Sequence, residues 1–510
     1  MAHINKLQQT RSDKMTNILC PTKNGRVRYV TSVQPHPIQK DPQLVDPYVR
    51  ETLEYMIGID PVALFLDSTR SYYTLEGHYE NLWKFDTPHI PRPTNRRYQE
   101  ALYNTQRHFR LPKPAVSHSW DDLKSVPFVP TSGAGYGYVG KRGDPGNHDL
   151  AINRAVGSLY AWDDYRNRRT RTRFLYRPYL AWTRTQLATF DAPKIRHVWG
   201  AAFENIILEG INAYPLIKAY QEWTESPMVI GIHTYKRLPH ILHSVLAPDA
   251  DEQVLGIGLD ISGFDQSVQP WFIQDAFNIL RQNITFSDPY AAMAWEYALH
   301  HFIHKVVVMP DGRMWHVSSG VPSGSYFTQI IDSVVNHILV SYIQITLLKR
   351  PLKTYVLGDD SLFGLPLRTH TPYPVLEQMA EVALELGMTL SIKKSVITNN
   401  LSELEFLGHS ARGLKIDRDF VKLLRLTIFP EFPVSDVALS ISRIEGILID
   451  SALQHWPIIH LHELMIARYG HHTIKTHTSD TLWRTIITQG EYTLTDRKET
   501  DLTLKIWTLT

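Results

Sequence analysis

In TYVLGDDSLF, residues 354 to 363, two acids stand side by side at Asp359 and Asp360, behind a glycine and inside an apolar run. Adjacent carboxylates repel and acids are depleted from strands, so the pair calls for a neutralising partner. Gly-Asp-Asp alone is a common turn sequence. Earlier in the chain, however, VLGIGLDISGFDQSV is a second short apolar run that ends at Asp260, with Asp265 five positions on. Two apolar strand ends that both finish in acid are poorly explained as solvated loops. If they converge, they suit a divalent cation. Mg²⁺ prefers octahedral oxygen coordination and is held by one or two carboxylates plus substrate phosphates. Two such ions about 3.5–4 Å apart would stabilise both the attacking and the leaving oxygens of an in-line phosphoryl displacement.

A third element is SSGVPSGSYFTQIIDSVVNHI, residues 318 to 338. Gly320, Pro322 and Gly324 break its first half into a loop. Its second half is helical, and Thr328, Asp332 and Asn336 recur every four residues on one stripe. Such a stripe is ordinarily a solvated face; beside a Ser/Gly loop and the acids elsewhere, it also fits a binding site. A further helix, with apolar Val375, Leu376, Met379, Val382, Ala383 and Leu386, ends at Gly387. The strand expected after it would carry Lys393 and Lys394 toward the acids, unless the two are simply a solvated pair.

Basic groups cluster upstream. RNRRTRTRFLYR, residues 166 to 177, holds six arginines and no acid. In an extended strand Arg169, Arg171 and Arg173 share a face, and the interleaved Phe174, Tyr176 and Tyr179 suit phosphate tracking with base stacking. The plain alternative is a soluble surface. Lys236 and Arg237 are a further basic pair without a motif around them. In TSGAGYGYVG four glycines would let the backbone approach a phosphate, with Thr131 and Ser132 as donors. The spacing to Gly-Lys-Ser/Thr that a Walker loop needs is absent.

These groups must be positioned by a chain of 510 residues, too long for a single core and suggestive of several lobes. The apolar share of 43% and charged share of 20% are ordinary for a globular protein. A net charge of +2 carries no case for a nucleic-acid partner, which must rest on local clustering. Cys20 is the single cysteine, which excludes an internal disulfide and favours a reducing compartment. The opening MAHINKLQQTRSDKM lacks the apolar core of a signal peptide. IIDSVVNHILVSYIQITLL carries Asp332, Asn336, His337 and Gln344, too polar for an easy membrane span, and reads as a buried helix. HHTIKTH near the end has no convincing metal spacing. No repeat or low-complexity tract is evident.

GLDISGFD, GVPSGSYFTQIIDSVVN and VLGDDSLF, in that order, resemble palm motifs A, B and C of viral RNA-dependent RNA polymerases, above all those of partitivirus-like double-stranded RNA viruses. PTSGAGYGYVGKRGD resembles fingers motif G, APKIRHVWG resembles motif F, and ELGMTLSIKKSVIT and ELEFLGHS resemble motifs D and E. The resemblance runs from about residue 130 to 410. It implies Asp260, Asp359 and Asp360 as catalytic metal ligands for Mg²⁺, with Mn²⁺ as a substitute. It implies Lys194 and Arg196 as a clamp on the incoming triphosphate. Asp265 would recognise the ribose 2′-hydroxyl with Ser323, Gly324, Thr328 and Asp332, and Asn336 lies one turn beyond. Many single-stranded RNA virus polymerases have asparagine at the position of Asp332, so the hydrogen-bond network must differ here. Lys394 would protonate departing pyrophosphate, with Lys393 as the alternative donor.

The implied fold is an α+β right hand of fingers, palm and thumb, with an antiparallel palm sheet and closed fingertips. Residues 1–110 would bridge fingers and thumb. Fingers would occupy 111–250, palm 251–409 with a fingers insertion at about 275–310, and thumb 410–510. The implied partners are RNA template and product, ribonucleoside triphosphates and a viral capsid protein, without a membrane. The implied location is the virion interior and the host cytoplasm. Two rival readings stand beside this one. A reverse transcriptase shares the palm acids, but usually has an aromatic residue where this chain has Asp265 and Tyr/Phe-x-Asp-Asp where it has Leu357-Gly358-Asp359-Asp360. A non-catalytic RNA-binding, capsid-associated protein would not need its acids intact.

Overall fold

The structure, a computed structural model, describes residues 23–36, 38, 45–65, 68–70, 74–170, 174, 176–189, 195–247, 253–367 and 375–470. The acidic run folds as expected from its turn chemistry. Thr354–Leu357 and Asp360–Pro366 form an antiparallel hairpin whose last pair is Leu357 with Asp360, leaving Gly358 and Asp359 as the tip. Gly358 has φ 63°, a left-handed conformation that glycine takes without a steric penalty. The second strand of the hairpin pairs antiparallel with Val254–Leu259, which pairs in turn with Val396–Thr398. These four strands make one wholly antiparallel sheet.

Behind the sheet runs the helix Thr328–Leu348, 21 residues long. Its many β-branched residues each cost a few tenths of a kcal/mol in helix propensity. Burial outweighs that cost, because a fully buried Val, Ile or Leu side chain contributes about 1.5–3 kcal/mol. Ile330, Ile331, Val334, Val335, Ile338 and Leu339 are completely enclosed. By length and composition this helix could cross a membrane, yet 89% of its most apolar window is buried inside the protein. Its polar residues find partners there. His337 hydrogen-bonds Thr105 at 2.8 Å, Asn104 donates to Ser341 at 3.0 Å, and Gln344 donates to Thr354 at 3.0 Å.

A second sheet has five strands in the order Val27–Ser32, Arg313–Val317, Lys305–Val308, Tyr179–Thr185 and Ile195–Gly200. The helix Phe203–Glu222 follows the last of these strands and packs between the two sheets' cores, with Ile207 in one cluster and Leu216 in the other. At the C-terminal side, Phe420–Ile428, Val437–Asp450 and Trp456–Tyr469 form a helical group. An early helix, Pro47–Ile57, joins that group through Val49 and Leu53, which pack with Leu423, Ile441 and Leu448. Its N-cap Asp46 is buried, accepts from Ser440 Oγ at 2.7 Å and pairs with Arg443. The first described strand and the helix after it therefore engage two different parts of the molecule. A further tie links Arg184 of the five-stranded sheet to Glu431, at 2.9 Å.

Two local expectations are corrected. The arginine-rich stretch is not an extended strand at its start: the helix Asn147–Arg166 runs into it, and Arg168 turns the chain with φ 56°. Arg166 and Arg169 both pair with Asp163 at 3.0 Å, and Arg177 pairs with the buried Glu204 at 3.2 Å. Acids on the preceding helix and on Phe203–Glu222 are thus the partners of three of the six arginines; Arg171 and Arg173 lie outside the described residues. Lys393 and Lys394 lie in a turn rather than on a strand. The Ser391 carbonyl accepts from the N–H groups of Lys394 (3.1 Å) and Ser395 (2.9 Å), and pairing resumes only at Val396. Cys20 and the HHTIKTH segment lie outside the described residues.

Candidate active site

The ladder that pairs Ser361 with Leu259 brings Asp360 and Asp260 to neighbouring strand ends, one step past that pair. Asp359 stands beside them at the hairpin tip. Their mutual charge is felt. Asp360 keeps exposed surface but is crowded by protein, and lost hydration together with Asp359, Glu405 and Asp260 pushes its carboxyl up to about 7. Asp260 is held through its backbone: its N–H donates to Ser395 Oγ at 3.0 Å, and its carbonyl accepts from Ser391 at 2.8 Å. Its side-chain Oδ1 has no hydrogen-bond partner. The Lys394 ammonium is 3.6 Å from that oxygen, an ion pair too long to be a hydrogen bond.

Among the described residues no three His, Cys, Asp or Glu side chains form a ready-made cage for a metal ion. Magnesium does not require one, since two carboxylates with water and substrate phosphates suffice. The orphaned oxygen of Asp260 and the acids crowding Asp360 are what a divalent cation would relieve. The residues present therefore fit such an ion.

Asp265 sits on the helical turn Phe264–Ser267, and burial followed by the charge of Asp359 pushes it up to about 6. Asp332 is buried on the long helix and driven well above the usual carboxylate range by burial, then by Asp265 and Asp359. Its Oδ1 also lacks a partner. The positive charge of Arg196 counteracts both shifts. The stripe Thr328, Asp332 and Asn336 is therefore an interior feature facing the hairpin, and not a solvated face.

The long helix grips the hairpin tip at both ends of one residue. Gly358 N–H donates to Ser333 Oγ at 2.8 Å, and Asn336 Nδ2 donates to the Gly358 carbonyl at 3.1 Å. This commits the Asn336 amide to the turn, while its Oδ1 stays without a protein partner. Thr328 Oγ1 donates to the Pro322 carbonyl at 2.6 Å and so closes the loop onto the helix start. Ser323 Oγ accepts from the Trp199 N–H at 3.2 Å. Gly324 lies flat against the same residue: a Cβ there would fall 1.6 Å from the Trp199 carbonyl oxygen. The loop is thereby docked on the strand that carries Arg196. Lys194 lies outside the described residues.

The glycine-rich segment 131–140 folds back on itself. Ala134 N–H donates to Gly140 at 3.0 Å, and Phe203 N–H donates to Ala134 at 3.0 Å. Tyr138 Oη donates to the buried Glu204 at 2.6 Å. Sequence reasoning missed Ser333 and Ser395, whose hydroxyls hold the acidic turn and the Asp260 backbone. Ser333 carried a faint signal, as it lies one position from Asp332 on an otherwise apolar helix.

A family model described as viral RNA-dependent RNA polymerase matches residues 62–451. The chain is 26% identical over 289 residues to the RNA-directed RNA polymerase of White clover cryptic virus 1, covering 49% of this chain and 45% of that one. It is 29% identical over 199 residues to the RNA-directed RNA polymerase of Cryptosporidium parvum virus 1, covering 37% of each. The matched stretches thus span less than half the length of these relatives. Among solved structures, the RNA-dependent RNA polymerase of a Sicinivirus superposes with a TM-score of 0.66 at 13% identity, covering 90% of this chain and 99% of that one. The RNA-dependent RNA polymerase of a human picobirnavirus superposes with a TM-score of 0.63 at 14% identity, covering 84% and 86%. The likeness in shape shows the fold, an α+β right hand built around the antiparallel sheet.

Proposed function

As this chain belongs to the viral RNA-dependent RNA polymerase family, we propose that it performs templated RNA synthesis, in which a 3′-hydroxyl attacks the α-phosphate of a ribonucleoside triphosphate and pyrophosphate leaves. One observation carries this reading: the antiparallel ladder that sets Asp260 beside Asp359 and Asp360. Asp260 and Asp359 would hold the metal ions, with Asp360 assisting. Mg²⁺, or Mn²⁺ in its place, would supply charge stabilisation to the attacking and leaving oxygens.

The remaining roles belong to the chain itself. Arg196, with Lys194, steadies the triphosphate. Asp265 and Asp332 face the ribose, with the loop of Ser323 and Gly324 and the helix start at Thr328 shaping its pocket. Asn336 supports the hairpin tip from below. Lys394 delivers a proton to pyrophosphate, consistent with its ammonium lying 3.6 Å from Asp260. Residues 111–250 serve as fingers, 251–409 as palm with the insertion at about 275–310, and 410 onward as thumb. Residues 1–110 bridge fingers and thumb; the pairing of Val27–Ser32 with Arg313–Val317 and the packing of Val49 on Leu448 support this. In this reading, which follows the motif resemblance, the template is a double-stranded RNA genome, transcribed and replicated within a capsid whose protein is a partner, in the virion and the host cytoplasm.

The test is incorporation of labelled ribonucleotide on an RNA template with Mg²⁺, comparing wild type with Asp359→Asn. Extension by wild type alone is expected. Equal extension by both overturns the catalytic assignment, and extension by neither favours a non-catalytic RNA-binding protein.

A further inference from the structure

The loop at residues 319–326 leads from the strand Arg313–Val317 into the helix of Asp332 and lies against the turn of Asp265, and two buried charges grip its ends. At the start, Gly320 N–H donates to the Val268 carbonyl at 2.9 Å and Val321 N–H donates to the Asp265 carbonyl at 2.7 Å. Beneath this point lies Lys305, fully enclosed, whose Nζ donates to the carbonyls of Phe302 (3.0 Å), Ser319 (2.8 Å) and Gly320 (2.6 Å). Three N–H donors of an ammonium thus meet three carbonyl acceptors. At the far end lies Glu209, also fully enclosed, on the helix Phe203–Glu222. Its Oε2 accepts from Ser325 Oγ and from the Tyr326 N–H, both at 2.7 Å. Its Oε1 faces His301 Nδ1 at 3.7 Å, without a hydrogen bond. The Tyr326 hydroxyl then donates to the Pro127 carbonyl at 2.6 Å.

We infer that Glu209 and Lys305 are positioning residues that fix the two ends of this loop, and through it the spacing between Asp265 and Asp332 that selects a ribose. The inference rests on the polymerase reading of the site and deepens it. Burying a carboxylate and an ammonium is costly unless each is hydrogen-bonded; Lys305 meets three acceptors, and Glu209 accepts two bonds at Oε2. Val321 packs into the core, but Ser323, Gly324 and Ser325 beyond it are only half-buried and bring little apolar surface of their own to hold them. The two charges supply that rigidity from neighbouring elements, so the hydrogen bonds and not the bulk of Glu209 carry the effect.

Glu209→Leu removes both acceptors, whereas Glu209→Gln keeps a side-chain carbonyl that can accept the same two bonds. The expected result for Glu209→Leu is a rise of about tenfold in KM for ribonucleoside triphosphate, with at least about a fivefold fall in preference over 2′-deoxy substrates. Glu209→Gln should restore both to within about twofold of wild type. Ser325→Ala, a milder change on the loop side, should move both quantities in the same direction and serves if Glu209→Leu does not fold. A lower melting temperature with unchanged KM and sugar preference would show a merely structural residue and overturn the inference, as would a Gln variant as impaired as Leu. Hydrogen exchange of the amides at residues 320–327 reads the loop without catalysis. Faster exchange in Ser325→Ala or Glu209→Leu is expected, and unchanged exchange sinks the positioning role. A wild type that makes no RNA would instead sink the polymerase reading.

Discussion

Asn336 donates its side-chain amide to the carbonyl of Gly358 at 3.1 Å, while Ser333, one turn earlier, accepts from the N–H of the same glycine. A helix and a hairpin are thus pinned at the one residue that sets where Asp359 and Asp360 point. Removing either contact leaves a buried polar group unpaired. Asn336→Ala and Ser333→Ala should each cost about 1–3 kcal/mol of stability by denaturant melts. They should also lower kcat by about tenfold or more, because a small misplacement of the acids is expensive. Loss of stability with normal kcat would show that the pin supports the fold only.

The crowding of acids predicts a pH-dependent stability that metal reverses. Asp360 and Asp265 are raised in the folded protein to about 7 and about 6, above the ordinary aspartate value. The folded state therefore binds more protons than the unfolded state between the ordinary aspartate value and these raised values. Their contribution is fully present at low pH and is lost as pH rises through about 6 to 7. Buried histidines such as His78, His197 and His337, held below their ordinary value, act in the opposite direction. The reading is therefore the difference in melting temperature between wild type and Asp360→Asn in metal-free protein, which should fall from pH 5 to about 7 and level off above it. Millimolar Mg²⁺ should raise the melting temperature more at pH 8 than at pH 5. An equal metal effect at both values would argue against an ion bound among these carboxylates.

For Lys394, whose ammonium is 3.6 Å from Asp260, substitution by Met should lower kcat by about 10²–10³ with KM little changed, as removal of a general acid does. The basic limb of the pH–rate profile should disappear at the same time. If Lys393→Met carries these losses instead, the proton donor is its neighbour.

Gly324→Ala tests the docking of the loop on the strand Ile195–Gly200. The added methyl would lie 1.6 Å from the Trp199 carbonyl oxygen, and two backbones cannot both stay in place. Overpacking of this kind costs about 1–3 kcal/mol, and incorporation should fall by about 10². Near-normal incorporation would mean that loop and strand move apart freely during turnover.

Much of this centre was legible because its signals are local. Alternation around Gly358 predicts a hairpin, and a Pro/Gly-interrupted loop followed by an apolar run predicts the start of the long helix at Thr328. Two strand ends that both finish in acid raise the convergence of Asp260 with the hairpin tip, which the strand ladder then supplies. Other features could not be read so directly. Arg169 looked free for RNA, yet it answers Asp163 and Asp164 on the helix behind it, a pairing visible only once the turn at Arg168 is known. Glu209 and Lys305 are single charges in apolar surroundings, and Glu209 meets Ser325 across 116 positions of chain. A sequence window does not reveal contacts of that range. The lysines at 393 and 394 were placed on a strand because nothing local announced the Ser391-centred turn.

The early strand and helix also govern how the molecule comes to be. Asp46 waits for Ser440, 394 positions later. At about 5–20 residues per second of translation, that delay is on the order of 20–80 s. During it the edge at Val27–Ser32 stays unpaired until Arg313–Val317 is made, and the apolar side of Val49 and Leu53 waits longer still, for Leu423, Ile441 and Leu448. The protein's birth, more than its finished state, is therefore where chaperones and misassembly compete for it.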